Sequence, residues 1–156
     1  PDKVLKNILV ARAFNSDHQM LLLDRVAEMI KDGEPIRLMI IDSLTAHFRA
    51  EYSGRGQLAD RQQRLNRYLH NLMKVAEQNN LAVYVTNQVM SDPAQMFGDP
   101  TKAIGGNIVG HACTYRMYLR RGKKDSRICK LIDSPDLPDD ATAFMIETDG
   151  LKDIDI

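Results

Sequence analysis

The sequence predicts an α/β fold: a mostly parallel central sheet, flanked by helices and extended near its end by antiparallel strands. Three observations carry this. Leu38-Met39-Ile40-Ile41 is an apolar run with no polar alternation, which suits a strand buried on both faces of a parallel sheet. Leu58, Leu65, Leu69, Leu72 and Ala76 keep helical spacing along one face of a long segment. The last third then turns to short strand-like runs separated by turn residues.

The chain has 156 residues, which is one domain by size and enough for a sizeable core. Hydrophobic residues make up 44% and charged residues 27%, ordinary values for a globular protein. No apolar stretch approaches a membrane span and no signal-peptide pattern opens the chain, so no membrane partner is expected. Cys113 and Cys129 are too few for a disulfide scaffold and read as reduced, packed thiols of a cytosolic protein. Net charge is zero, which excludes a global field drawing the protein onto nucleic acid. Charge is nevertheless local. Arg116, Arg120, Arg121, Lys123, Lys124, Arg127 and Lys130 crowd one region, and Arg55, Arg61, Arg64 and Arg67 another. Either patch can bind phosphate or serve as a solvated face.

In chain order, residues 7–11 form an apolar strand that follows Pro1 closely, which reads as the middle of a longer protein. Ser16 and Gln19 have capping-box spacing and open a helix over residues 16–31, which Asp32-Gly33-Glu34-Pro35 stops. The strand at 38–42 follows, then a short helix at 43–52. Ser53-Gly54-Arg55-Gly56 breaks regular structure, since glycine permits backbone angles that other residues resist. The long helix covers residues 58–78, and residues 81–86 form a β-branched strand. Residues 89–102 lack periodicity and predict a long loop, a length usually reserved for function. Gly105-Gly106 opens a short helix towards His111. Residues 114–120, 127–132 and 142–147 predict three strands, with 122–125 as a hairpin turn.

Asp42 ends the first central strand, and Asn87-Gln88 ends the next. Open α/β sheets place ligands at the carboxyl ends of their strands. A carboxylate there can hold Mg²⁺, directly or through water, beside a nucleotide phosphate. An amide beside a terminal phosphate can sense whether that phosphate is present. The alternative for Asp42 is a cap on the following helix. His18, His47 and His70 have no metal-ligand spacing. The scattered methionines are gap-fillers.

Several further segments occur in one order between residues 11 and 143. They are Ala11-Arg12-Ala13-Phe14-Asn15, Asp42-Ser43, Tyr52-Ser53-Gly54-Arg55-Gly56, Asp60-Arg61-Gln62, Thr86-Asn87-Gln88-Val89, Gly98-Asp99-Pro100-Thr101-Lys102, Ile104-Gly105-Gly106-Asn107 and Leu131-Ile132-Asp133-Ser134-Pro135. Together they resemble the C-terminal half of the RecA-like ATPase core, and most closely the archaeal RadA recombinases and their eukaryotic counterparts. The resemblance implies a DNA-dependent ATPase that forms helical filaments on single-stranded DNA, pairs it with double-stranded DNA and exchanges strands. It also implies ATP and Mg²⁺ as cofactors, K⁺ as a monovalent cation, and a cytoplasmic, nucleoid-associated location in an archaeon.

The resemblance assigns roles to residues. Asp42, with Ser43, looks like the Walker B acid that orients Mg²⁺ and water. Gln88 looks like the phosphate-sensing amide that opens the second DNA-binding loop. Arg55 and Gly56 look like the first DNA-binding loop, with Arg61 at the base of its helix. Gly105, Gly106 and Asn107 look like the close of the second loop. His111 is similar to a histidine near the nucleotide at the protomer junction, with a partly buried structural histidine as the alternative. Asp133, Ser134, Pro135 and Pro138 look like the cap laid over a neighbour's ATP, and Asp133 would face the monovalent cation. With few aromatics in these loops, binding through the DNA backbone is expected.

No Gly-x-x-x-x-Gly-Lys-Ser/Thr stretch occurs in the sequence. A P-loop cradles phosphates with backbone amides, and in this family it lies upstream of the matched part. The whole chain, residues 1–156, is therefore expected to be the C-terminal part of such a domain, without P-loop or N-terminal domain, and inactive alone. Two alternatives stand beside that expectation. One is a non-catalytic module, binding single-stranded DNA or modulating filaments, that lacks its own P-loop. The other is an unrelated α/β enzyme that uses Asp42 catalytically.

Overall fold

The computed structural model describes residues 2–91 and 101–154. The chain forms two compact units, Pro1–Val109 and Gly110–Ile156. The Gly98-Asp99-Pro100 part of one matched segment lies outside the described residues.

The first unit begins with a short helix, α1 (Asp2–Leu5), followed by α2 (Ser16–Lys31), β1 (Leu38–Ile41) and α3 (Ala46–Glu51). A single 3-10 turn, Arg55–Gln57, leads into α4 (Leu58–Gln78) and β2 (Ala82–Val85). β1 and β2 pair in parallel, with Ile41 opposite Val85, as the sequence predicts. Two short strands then pair antiparallel, β3 (Val89–Ser91) with β4 (Thr101–Ala103), and α5 (Gly106–Ala112) runs across the division between the units.

The core of this unit is the contact of α2, α3 and α4. It buries Leu23, Leu44, Phe48, Leu65, Tyr68, Leu69 and Leu72. Phe48 and Tyr68 pack with ring centroids 5.8 Å apart. Burial pushes the Tyr68 phenol pKa up, against an opposing hydrogen bond with Gln19. Gln19 also donates through Nε2 to the Leu44 carbonyl at 3.2 Å, so α2 grips the turn that follows β1.

Several expectations are corrected. Residues 7–11 form no strand, and Leu9 and Val10 are exposed. A strand needs a hydrogen-bonded neighbour, and β1 and β2 pair only with each other among the described residues. The strand at 38–41 is not buried on both faces. Met39, Ile41, Val83 and Val85 line its covered side, while Leu38, Ile40 and Tyr84 are 54%, 62% and 44% exposed. A parallel pair needs a layer on each face to cover both, and here one face is covered.

The α2 cap is Asn15 rather than Ser16: the Asn15 side chain accepts from the His18 amide at 2.7 Å. Ser16, fully buried, instead gives its amide to Glu51 Oε1 at 2.6 Å and its hydroxyl to Glu51 Oε2. The carboxylate thus meets the positive end of α2. Replacing it strands buried donors. Glu51→Ala is expected to lower stability by about 1–3 kcal/mol in chemical denaturation, with Glu51→Gln losing less.

The helix expected at 43–52 starts later, at Ala46, with Thr45 at its N-cap. The segment around Gly54 and Gly56 holds a 3-10 turn, and neither glycine takes a positive φ. The expected loop at 89–102 has the β3–β4 ladder at its ends, which closes it at the base.

The second unit is a four-stranded antiparallel sheet, β5 (Arg116–Arg121), β6 (Arg127–Asp133), β7 (Asp140–Glu147) and β8 (Gly150–Ile154), in that order. Three strands were expected; the fourth follows a tight turn in which Gly150 takes φ +129. The 122–125 turn forms as predicted. Gly122 donates to the Ser126 carbonyl at 2.9 Å, and Lys124 and Asp125 accept positive φ. Among the described residues, no helix is long and apolar enough to cross a membrane.

Candidate nucleotide and DNA site

Asp42 follows β1 directly, so its carboxylate stands exposed at the carboxyl end of the parallel pair. It caps no helix. Its Oδ1 accepts from Thr86 Oγ1, the residue after β2, at 2.5 Å. Backbone bonds join the same two strand ends: Thr86 N–H to the Ile41 carbonyl at 3.0 Å, and Leu44 N–H to the Thr86 carbonyl at 2.9 Å. The peptide between Asp42 and Ser43 is cis. Oδ2 of Asp42 receives no hydrogen bond from the described residues. It is therefore available to a metal-bound water.

Asn87 continues this line. Its Oδ1 accepts from Thr45 Oγ1 at 2.7 Å, and its Nδ2 donates to the Ile104 carbonyl at 2.6 Å. The Ile104 amide in turn donates to the Gln88 carbonyl at 2.9 Å. Gln88 itself is exposed, immediately before β3. Separate short bonds thus tie Asp42 to Thr86, and tie Asn87 and Gln88 to Ile104, the residue before Gly105.

Gly105 and Gly106 take φ +93 and +57. A Cβ on Gly105 would meet Val109 Cγ2 at 2.5 Å, so only glycine fits there. Gly106 has open space around it.

Arg61, near the start of α4, is half-buried and donates through Nη1 to the Tyr52 carbonyl at 3.5 Å. Arg64 is not a plain solvated residue either. Its guanidinium lies 5.7 Å from the Tyr52 ring centroid and pairs with Asp17. Arg55 and Gly56 lie in the 3-10 turn between Tyr52 and α4.

The remaining candidates fall in the second unit. His111 is exposed near the end of α5. Asp133 ends β6, and its Oδ2 accepts from Arg116 Nε at 2.9 Å and Nη2 at 2.6 Å. This guanidinium leaves only Oδ1 for a cation and repels a second positive charge, so Asp133 fits K⁺ poorly as placed. The Ser134 hydroxyl accepts from the Leu137 amide at 2.9 Å and donates to Asp136 at 3.1 Å, shaping the turn that holds Pro135. Tyr115 donates to the same Asp136 carboxylate at 3.1 Å, which pushes its phenol pKa up. Pro138 is exposed beyond this turn. Burial raises the Cys113 thiol pKa against the pull of Arg116.

The residues present fit part of a nucleotide site. Among the described residues no three His, Cys, Asp or Glu side chains gather to hold a metal. The Asp42 Oδ2, which receives no hydrogen bond among the described residues, suits Mg²⁺ held through water. A separate apolar hollow, walled by Leu119, Phe144 and Ile146 and rimmed by Arg120, Arg121 and Arg127, contains none of the candidate residues.

An acid and an amide that follow adjacent parallel strands, the amide's backbone carbonyl bonded to the residue before a glycine pair, are the arrangement of a partial RecA-like α/β core. The chain belongs to the Rad51 family, whose sequence model matches residues 1–154. It is 56% identical over 97% of its length to the "DNA repair and recombination protein RadA" of Methanocorpusculum labreanum, covering 47% of that protein. The proteins of the same name from Methanoculleus marisnigri and Halobacterium salinarum are also 56% identical, with 48% and 45% of their lengths covered. The chain thus spans about half the length of these curated relatives.

The bonds of Thr45, Thr86 and Asn87 beside the strand ends were not legible in the sequence. Hydroxyls and amides beside a strand end are common, and only the paired strands bring these three together.

Proposed function

We propose that this chain is part of a DNA recombinase that assembles ATP-dependent filaments on single-stranded DNA and drives homologous pairing and strand exchange. The observation that supports it best is the set of hydrogen bonds from Asp42 to Thr86, and from Thr45 through Asn87 to Ile104. The first bond ties Asp42 to the end of the neighbouring strand, and the others tie Asn87 to the residue before the glycines that would touch DNA. The family and the names of its RadA relatives point the same way.

In this reading, bound ATP supplies the bond to be cleaved, and Mg²⁺ neutralises the charge that develops on its phosphates. Asp42 would hold the metal-bound water, and Gln88 would donate to the terminal phosphate. Arg55, Gly56 and Arg61 contact the DNA backbone from the first loop, and Gly105, Gly106 and Asn107 from the second. His111, Ser134, Pro135 and Pro138 would meet a neighbouring protomer's nucleotide. Asp133 would serve there as a partner for Arg116 rather than as a cation ligand.

The test is Gln88→Ala in the full-length protein. DNA-stimulated ATP hydrolysis is expected to fall roughly 10²-fold, the usual cost of losing one donor at developing charge. Single-stranded DNA should still bind without nucleotide. Unaltered DNA-stimulated hydrolysis would remove Gln88 from the sensing role.

A further inference from the structure

The entry to the first loop is held by contacts that none of these roles uses. Tyr52 is the last residue before Ser53, and two arginines of α4 grip it: Arg61 at its carbonyl and Arg64 over its ring. Because α4 begins on the far side of the loop, the loop's two ends are tied side by side. Arg64 in turn pairs with Asp17, in the first turn of α2. The neighbouring Ser16 holds Glu51, the residue just before Tyr52. One turn of α2 therefore fixes both sides, α3 through Ser16–Glu51 and α4 through Asp17–Arg64.

We propose that Asp17, Glu51 and Arg64 are positioning residues for the first DNA-binding loop. They set the Tyr52 and Arg61 ends so that the loop meets a phosphate backbone already closed. Fixing loop ends in advance lowers the ordering cost of binding. The inference rests on the reading of Arg55 and Gly56 as DNA-binding, and it assigns Asp17 a role that charge alone contradicts. An acid 75% exposed near a DNA site should weaken binding by repulsion. As a clasp on Arg64 it strengthens binding.

The sign decides. In the full-length protein, binding of a fluorescein-labelled oligo-dT is followed by anisotropy over a series of salt concentrations. Asp17→Asn is expected to weaken binding about threefold, the scale of an exposed ion pair, with an unchanged salt slope. Arg64→Gln should lose a similar factor, the double variant no more than either single, and Asp17→Glu should bind like the parent. Asp17→Asn binding equally or more tightly overturns the inference. A salt slope smaller by about one in Arg64→Gln also overturns it, since Arg64 would then touch phosphate itself. Arg55→Ala separates the two levels. If it weakens binding while Asp17→Asn does not, only the clasp fails. If it leaves binding intact, the loop reading itself fails.

Discussion

Asp42→Asn in the full-length protein is expected to reduce DNA-stimulated ATP hydrolysis roughly 10²–10³-fold, the range seen when a preorganised charge-stabilising group is lost. The isostere isolates charge from structure. Asn keeps an Oδ1 that can accept from Thr86, so the bond joining the two strand ends survives. The thermal midpoint should therefore hardly move. What disappears is the negative charge, and with it the pull that Asp42 is proposed to exert on a metal-bound water. The Mg²⁺ concentration for half-maximal activity should rise accordingly. Hydrolysis within threefold of the parent, at the parent's Mg²⁺ requirement, would place the metal elsewhere. Loss of activity with a collapsed midpoint would assign Asp42 a structural role in tying β1 to β2.

The sequence made the α/β class, the parallel pair and the two long helices legible because apolar periodicity reports directly on burial. α4 keeps its buried Leu65, Leu69 and Leu72 at helical spacing, and its bounds agree with the expected 58–78. What escaped depends on partners distant in sequence. Residues 7–11 are apolar enough for a strand but lack a neighbour to pair with. Ser16 has the spacing of a cap, yet Asn15 was one residue better placed, and Ser16 found Glu51, 35 residues on. β8 was missed because Leu151-Lys152-Asp153 carries charge, and its strand character comes from pairing with β7. The same limit governs the site. Asp42 and Gln88 were singled out because strand ends are legible, whereas Asn87 gains its bonds only from Thr45 and Ile104, residues 42 and 17 positions away. Asp133 was read as a cation site because its neighbours match the family, but the carboxylate already has Arg116.

Gly105→Ala is expected to be the most damaging single methyl in this region, for two separable reasons. The backbone at φ +93 costs an L-residue about 1–3 kcal/mol. The added Cβ, 2.5 Å from Val109 Cγ2 and 3.4 Å from Leu65 Cδ2, adds about 1–3 kcal/mol of crowding. Neither neighbour gives way easily, since Val109 and Leu65 are 5% and 2% exposed. Gly106→Ala is the control. Its φ is also positive, but nothing lies within 4 Å of its Cβ, so it should show the backbone cost alone. Chemical denaturation of the two variants should differ by the crowding plus the extra backbone strain of φ +93 over φ +57, and a Val109→Ala cycle should isolate the crowding as a coupling energy. The damage should extend to DNA. Shifting residue 105 is expected to move the Ile104 carbonyl off Asn87, loosening the tie between the end of β2 and the glycine loop. Gly105→Ala should thus lose DNA-stimulated hydrolysis while DNA-independent hydrolysis persists, and Gly106→Ala should lose less of both. Equal stability of the two alanine variants would show that Val109 and Leu65 yield. Equal DNA stimulation would show that the Asn87–Ile104 bond transmits nothing.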